Sequence, residues 1–169
     1  MTVRDARPAD ATDVARIANH YIRNTSVTFT TCEKSRDIAR DEIVTRRTEG
    51  GAFLVAETGG RVTGFATYFP FRAGPGYSWT RELTILLEPG AEGRGLGRDL
   101  ITALAAKATA VGVHSLIAGI SAENPRAIDF HAAMGFSEVG RIPEAGRKFN
   151  RWIDLVLMQK FLSEVSPTS

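Results

Sequence analysis

At 169 residues, 43% apolar and 24% charged, the chain has the size and make-up of one packed domain. A net charge of +2, with no long Lys/Arg run, excludes a broad nucleic-acid-binding surface. The single Cys32 excludes an internal disulfide and a thiolate metal cluster. The charged opening Arg4-Asp5-Ala6-Arg7 and the lack of an 18-residue apolar run predict neither signal peptide nor membrane span, so a cytoplasmic location is expected.

In chain order, Thr2–Ala6 reads as a short first strand. Asp10 stands at an N-cap position before Val14, Ile17, Ala18, Tyr21 and Ile22, which share one helical face. Ser35 caps a second helix of weaker periodicity that ends at Gly50-Gly51. Ala52–Glu57 and Arg61–Phe69 flank Thr58-Gly59-Gly60 and read as a hairpin. Trp79–Leu87 is a central strand, and Leu96, Leu100, Ile101, Leu104, Ala105 and Ala108 form the buried face of the next helix, closed at Gly112. Val113–Ile120 is apolar almost throughout, as a strand covered on both faces should be. Asn124 and Pro125 open a short helix that ends at Gly135, and strands Phe136–Ile142 and Trp152–Lys160 complete the pattern. The order predicts a mixed α/β domain over residues 1–162 and a short tail, 163–169, whose Pro167-Thr168-Ser169 end is expected to be disordered.

Between the central strand and its helix lies Glu88-Pro89-Gly90-Ala91-Glu92-Gly93-Arg94-Gly95-Leu96-Gly97. A helix that begins in glycines offers unpaired N–H groups and the positive end of its dipole to an anion. Arg94 and Arg98 add charge beside it. The P-loop pattern is absent because no Lys-Ser or Lys-Thr follows, and the G-x-G-x-x-G fingerprint stops at Arg98. Two readings stay open on these residues alone: a pyrophosphate site, or a tight strand-to-helix turn with no ligand.

Glu92-Gly93-Arg94-Gly95-Leu96-Gly97 resembles the Q/R-x-x-G-x-G/A signature of the GNAT N-acetyltransferases, and Asn124 through Gly135-Phe136 resembles that family's N-x-x-A…G-F segment. Tyr77-Ser78-Trp79-Thr80-Arg81-Glu82 and Gly146–Leu155 are similar to the phosphinothricin and methionine sulfoximine acetyltransferase branch. The resemblance implies a mixed, mostly antiparallel sheet of six to seven strands with about four flanking helices. It implies acetyl-CoA as co-substrate, its pyrophosphate on Gly93, Arg94, Gly95, Leu96, Gly97 and Arg98, and its pantetheine arm on Ile85, Leu86, Leu87 and Asn124. It also implies a homodimer, and no metal is expected.

Acyl transfer to an amine needs the neutral nitrogen, although an aliphatic ammonium has a pKa of roughly 10. A carboxylate near the amine can take its proton, and Glu82 on the central strand is the candidate base. Its residue-level alternative is an ordinary exposed strand glutamate. His131 is the candidate proton donor to the departing thiolate, against the alternative of a helix histidine satisfied by its neighbours. His20 and His114 are expected to be structural, and Cys32 has no nearby histidine to activate it. The backbone of Ile85 to Leu87 would supply oxyanion donors, as the resemblance implies.

For the acceptor, Arg72 is suited to a bidentate carboxylate contact, and Pro75, Gly76, Tyr77 and Thr80 lie between it and Glu82. Phe29 matches a family aromatic that closes the amino-acid pocket. Departures from the family pattern are Glu92, which brings negative charge to the turn, Arg81 and Leu83 beside Glu82, and Leu86 where tyrosine is common. The resulting expectation is N-acetylation of a small amino-acid-like amine by direct attack in a ternary complex. A protein N-terminal or lysine acetyltransferase and a catalytically silent acyl-CoA-binding module are the alternatives.

Overall fold

The structure, a computed structural model, describes residues 1–162; the expectation for the 163–169 tail lies outside the described residues. Seven strands form one sheet: β1 (Thr2–Asp5), β2 (Ala52–Thr58), β3 (Arg61–Pro70), β4 (Thr80–Leu87), β5 (Ser115–Ser121), β6 (Ser137–Lys148) and β7 (Arg151–Phe161). Their order is β1-β2-β3-β4-β5-β7-β6, antiparallel except for the β4/β5 pair. Helices α1 (Ala11–Asn24) and α2 (Arg36–Thr48) cover one face, and α3 (Leu96–Ala110) and α4 (Pro125–Ala133) cover the other.

The two faces hold separate cores because strand side chains alternate between them. Val14, Ile17 and Ile22 of α1 and Ile43 of α2 pack on Phe53, Val55 and Phe65. Leu100, Ile101 and Leu104 of α3 pack on Leu54, Tyr68, Leu83, Leu116 and Val156. Burial of each such side chain stabilises the fold by about 1.5–3 kcal/mol.

Local chemistry explains most element ends, and two differ from expectation. Ser35 accepts from the Ile38 amide at 3.2 Å and caps α2 as expected. Asp10 does not cap α1 with its side chain. Its carboxylate instead accepts the Arg7 amide at 2.7 Å and both Arg4 guanidinium nitrogens at 2.8 and 2.9 Å, so charge pairing outcompetes the cap. The expected strand Phe136–Ile142 runs on to Lys148 after an irregularity in the ladder, where the Glu144 amide donates to Asp154. Phe149 and Asn150 then turn the chain with φ of 51° and 58°, the two-residue geometry that suits a twisted hairpin.

The feature that positions the site is where one ladder stops. β4 and β5 pair from Thr80↔Ser115 to Leu83↔Ala118 and no further. Beyond that rung β4 stays with β3 as far as Leu87↔Gly64, while β5 stays with β7 as far as Ser121↔Leu155. The sheet therefore opens between two strands that are each held firmly on their other edge.

Candidate active site

A cleft of about 300 Å³ fills this opening. Thr84, Ile85 and Leu86 of β4 face Ala118, Gly119, Ile120 and Ser121 of β5 across it. Asn124, Ala127 and His131 close it from α4, and Val27, Thr28, Phe29 and Phe69 close it from the opposite face.

The backbone of β4 supplies polar groups on the open edge. Trp79 accepts from the amides of His114 and Ser115, so its carbonyl points toward β5; the Glu88 amide donates to Thr63 and points toward β3. Backbone groups alternate along a strand, so the N–H and C=O of Ile85 and Leu87 point into the opening and those of Leu86 point to β3. Tyr21 donates to the Leu87 carbonyl at 2.6 Å and occupies that acceptor. The amides of Ile85 and Leu87 and the carbonyl of Ile85 face the cleft. Of the three residues expected to share this work, Leu86 contributes its side chain to the wall and not its amide.

The glycine turn lies at the end of the same strand. Gly90, Gly93 and Gly95 have φ of 84°, 76° and 82°, a region that strains residues with a Cβ. Gly95 is the N-cap of α3, and the first amide of the helix to bond is Asp99, which donates to Gly95. Among the described residues, no protein acceptor takes the amides of residues 92–98. A run of unpaired donors at a helix start is what a pyrophosphate needs. Arg94 and Arg98 are exposed beside it. Glu92 is exposed too, and its carboxylate accepts the Gly90 amide at 2.9 Å, so part of its charge is engaged at the turn's far side.

On α4, Asn124 caps the helix through Oδ1, which accepts from Ala127 at 3.2 Å, while the residue also lines the cleft. His131 is 4% exposed. Its Nδ1 lies 2.8 Å from the Ala127 carbonyl, so Nδ1 carries the proton and donates. Nε2 is buried without a partner, and burial holds the imidazole pKa below its usual range. The resting state is a neutral ring that offers a lone pair at Nε2, whereas the expected role is that of a proton donor. His131 must gain a proton at Nε2 before it can give one from there.

Glu82 is half-buried on the last paired stretch of β4, opposite Phe69 on β3 and Ile117 on β5. A Cβ on Gly119, which lines the cleft, would lie 3.4 Å from its Oε1, so the carboxylate lies beside that wall residue, although Glu82 itself is not among the residues that line the cleft. Desolvation raises its pKa above the usual glutamate range, and the Arg72 charge opposes this. That is the direction a general base needs when it works near neutral pH.

The expected acceptor residues divide. Phe29 lines the cleft. Arg72 is exposed and reaches Glu82 only through its charge; Pro75, Gly76 and Tyr77 on the loop before β4, and Thr80 at the first position of β4, lie outside the cleft lining. Sequence reasoning missed Arg46, whose guanidinium lies 4.5 Å above the Phe69 ring while its buried Nε has no partner. It also missed Lys34, whose Nζ holds both Glu42 oxygens at 2.6 Å in the cleft wall. Arg46 and Glu42 stand four apart on a weakly amphipathic helix and look in sequence like a surface ion pair. The available signal was the charge on the inner stripe with Ala39 and Ile43.

Residues 3–157 match the model of the acetyltransferase (GNAT) domain. The L-methionine sulfoximine/L-methionine sulfone acetyltransferase of Salmonella typhimurium is 34% identical over 97% of this chain and 96% of its own. The phosphinothricin N-acetyltransferase of Streptomyces coelicolor is 33% identical over 95% of each. Among solved structures, yncA of Salmonella typhimurium, described as a putative acetyltransferase with its cofactor acetyl-CoA, superposes with a TM-score of 0.94 at 33% identity, covering 100% of this chain and 98% of that one. A ribosomal-protein-alanine N-acetyltransferase from Brucella melitensis gives 0.93 at 36% identity, covering 96% and 100%. The chain belongs to the GNAT family. It is an acetyl-CoA-dependent N-acetyltransferase, and the opened sheet edge with its unpaired turn amides fits that co-substrate.

Proposed function

We propose that this enzyme acetylates the α-amino group of a small amino-acid-like substrate of the methionine sulfoximine, methionine sulfone or phosphinothricin type. The observation that carries this reading is the placing of Glu82: a half-buried carboxylate of raised pKa beside Gly119 of the cleft wall. Bound acetyl-CoA supplies an acetyl group activated as a thioester. The amides of residues 93–98 hold its diphosphate, and the open edge of β4 with Asn124 orients its arm. Glu82 takes the ammonium proton, directly or through a water, and frees the nitrogen to attack in a ternary complex. The amides of Ile85 and Leu87 face the place where negative charge develops on oxygen. As the tetrahedral intermediate collapses, His131 Nε2 takes the proton that the newly bonded nitrogen sheds and passes it to the departing sulfur, so the C–S bond breaks as the amide forms and coenzyme A leaves as the thiol.

The acceptor's carboxylate meets Arg72 at the rim or Arg46 over Phe69, both able to make planar paired contacts. Phe29 lines the cleft on the acceptor side, and an aromatic wall there suits a small amino-acid side chain. Thiol release with free amino acids and with an alanine-ended peptide tests this at one acetyl-CoA concentration. The reading predicts the highest kcat/KM for a free amino-acid analogue. A higher value for the peptide would transfer the assignment to protein N-termini, and binding of acetyl-CoA without release for any amine would make the domain a silent binder. We also take the enzyme to be a homodimer, with exposed Val139, Ile142 and Trp152 of the outer hairpin as contact surface. A monomer mass by light scattering would contradict this.

A further inference from the structure

One sequence block that resembles the branch, Gly146-Arg147-Lys148, has no part in the chemistry above, yet it holds a buried cation. Lys148 on β6 is 5% exposed. Lysine is almost never buried without a partner, and among the described residues no carboxylate pairs with this one. Its Nζ instead donates to the backbone carbonyls of Tyr21 at 3.3 Å, Thr25 at 2.6 Å and Thr28 at 2.9 Å. An ammonium has three protons, and here each finds a carbonyl. Tyr21 lies in the last turn of α1, at the negative end of the helix dipole, and its carbonyl also accepts from the Thr25 amide at 3.2 Å and the Thr25 hydroxyl at 2.9 Å.

Two residues earlier on the same strand face, Gly146 meets the other end of that segment. A Cβ there would overlap the ring of Phe29, so the ring packs directly on the Gly146 backbone. The φ of Gly146 is not in the left-handed region, so close approach is the reason for glycine at this point. The segment from Thr25 to Thr30 has no strand ladder or helix of its own. Its remaining ties are local or peripheral, such as the Val27 amide to Thr25 Oγ at 3.2 Å and Ser26 Oγ to Glu123 at 3.4 Å.

We propose that Lys148 and Gly146 form a dock on the β6–β7 hairpin that fixes residues 25–29 and sets Phe29 as the acceptor-side wall of the cleft. They are positioning residues that act on amine recognition through Phe29. The proposal rests on the small-amine reading above, but the dock itself can be measured without any substrate.

Hydrogen–deuterium exchange on the whole protein is the first readout. Lys148→Met should speed exchange in residues 22–30 and leave β4 and α3 protected as before. Steady-state kinetics are the second. Lys148→Met and Gly146→Ala should each raise the amine KM on the order of tenfold and hold the acetyl-CoA KM within about twofold. Gly146→Ala combined with Phe29→Ala should do no more than Phe29→Ala alone, because both changes act on one contact. Unchanged exchange in residues 22–30, amine and acetyl-CoA KM values that rise together, or full additivity of the Gly146 and Phe29 changes would each overturn the dock. Where Lys148→Met does not fold, Gly146→Ala and the double variant carry the test. Where the wild type turns over no small amine, the small-amine reading fails, and the exchange result alone decides the dock.

Discussion

On the α3 side of the opened sheet the groups on offer are mostly backbone: the amides of residues 92–98 and the free edge of Ile85 and Leu87. On the α1 side they are side chains from scattered elements, with Phe29 from a loop, Arg46 from α2 and Phe69 from β3 lining the cleft, and Glu82 of β4 beside Gly119 of its wall. The donor of the acetyl group keeps the same diphosphate and arm whatever is acetylated, and fixed main-chain donors suit an unchanging ligand. An acceptor is selected by shape and charge at its own end, and side chains can be exchanged there without disturbing the turn or the strand edge. The contrast predicts that substitutions on one side leave the KM for the other side's substrate unmoved.

The largest effect should come where the two sides meet. Glu82→Gln is expected to lower kcat/KM for the amine by about 10²–10⁴-fold at neutral pH. Activity should recover in part at high pH, where more of the amine is neutral without help. Steady-state thiol release against pH reads this directly, and turnover equal to wild type removes Glu82 from the mechanism. Next in size is Gly95→Ala, which places a Cβ at a φ of 82°. Strain at that turn should raise the acetyl-CoA KM by about tenfold and leave the amine KM alone.

Arg72→Gln probes the charge at the rim. Arg72 holds the Glu82 pKa down against burial, so its loss lets that pKa rise further. The base works deprotonated, so the acid limb of the kcat/KM profile should move to higher pH; an unmoved limb, or one moved to lower pH, contradicts the pairing. The smallest effect belongs to Glu92→Gln. Removing an exposed charge that already accepts the Gly90 amide should tighten acetyl-CoA by only about two- to fivefold, and less so in high salt.

The same contrast explains what could be read in the chain itself. The turn is legible because its conformation demands glycine at Gly90, Gly93 and Gly95, three positions within six residues, so the cue is local and dense. The alternating strand-helix order is legible for the same reason, through periodicity within each segment. The opening between β4 and β5 is not legible, because nothing in Thr84–Leu87 distinguishes a strand edge that pairs from one that stays free. Lys148 and Arg46 also escape sequence reading, since lysine and arginine default to the surface and their burial depends on carbonyls and rings far away in the chain. The longer β6 was hidden by Pro143 and by a turn built on Phe149-Asn150 in place of a glycine pair. Asp10 shows the opposite failure, a good local cap signal lost to an arginine six residues earlier.

The central claim is that main-chain N–H groups at the start of α3 receive the diphosphate of the acetyl donor and aim its thioester toward Glu82. Titration of the isotope-labelled protein with coenzyme A, followed by amide NMR, reports on those groups one by one. Saturable shifts concentrated at Gly93, Gly95, Leu96, Gly97 and Arg98 are the predicted result. Saturable binding that leaves these amide signals in place while others shift would contradict it.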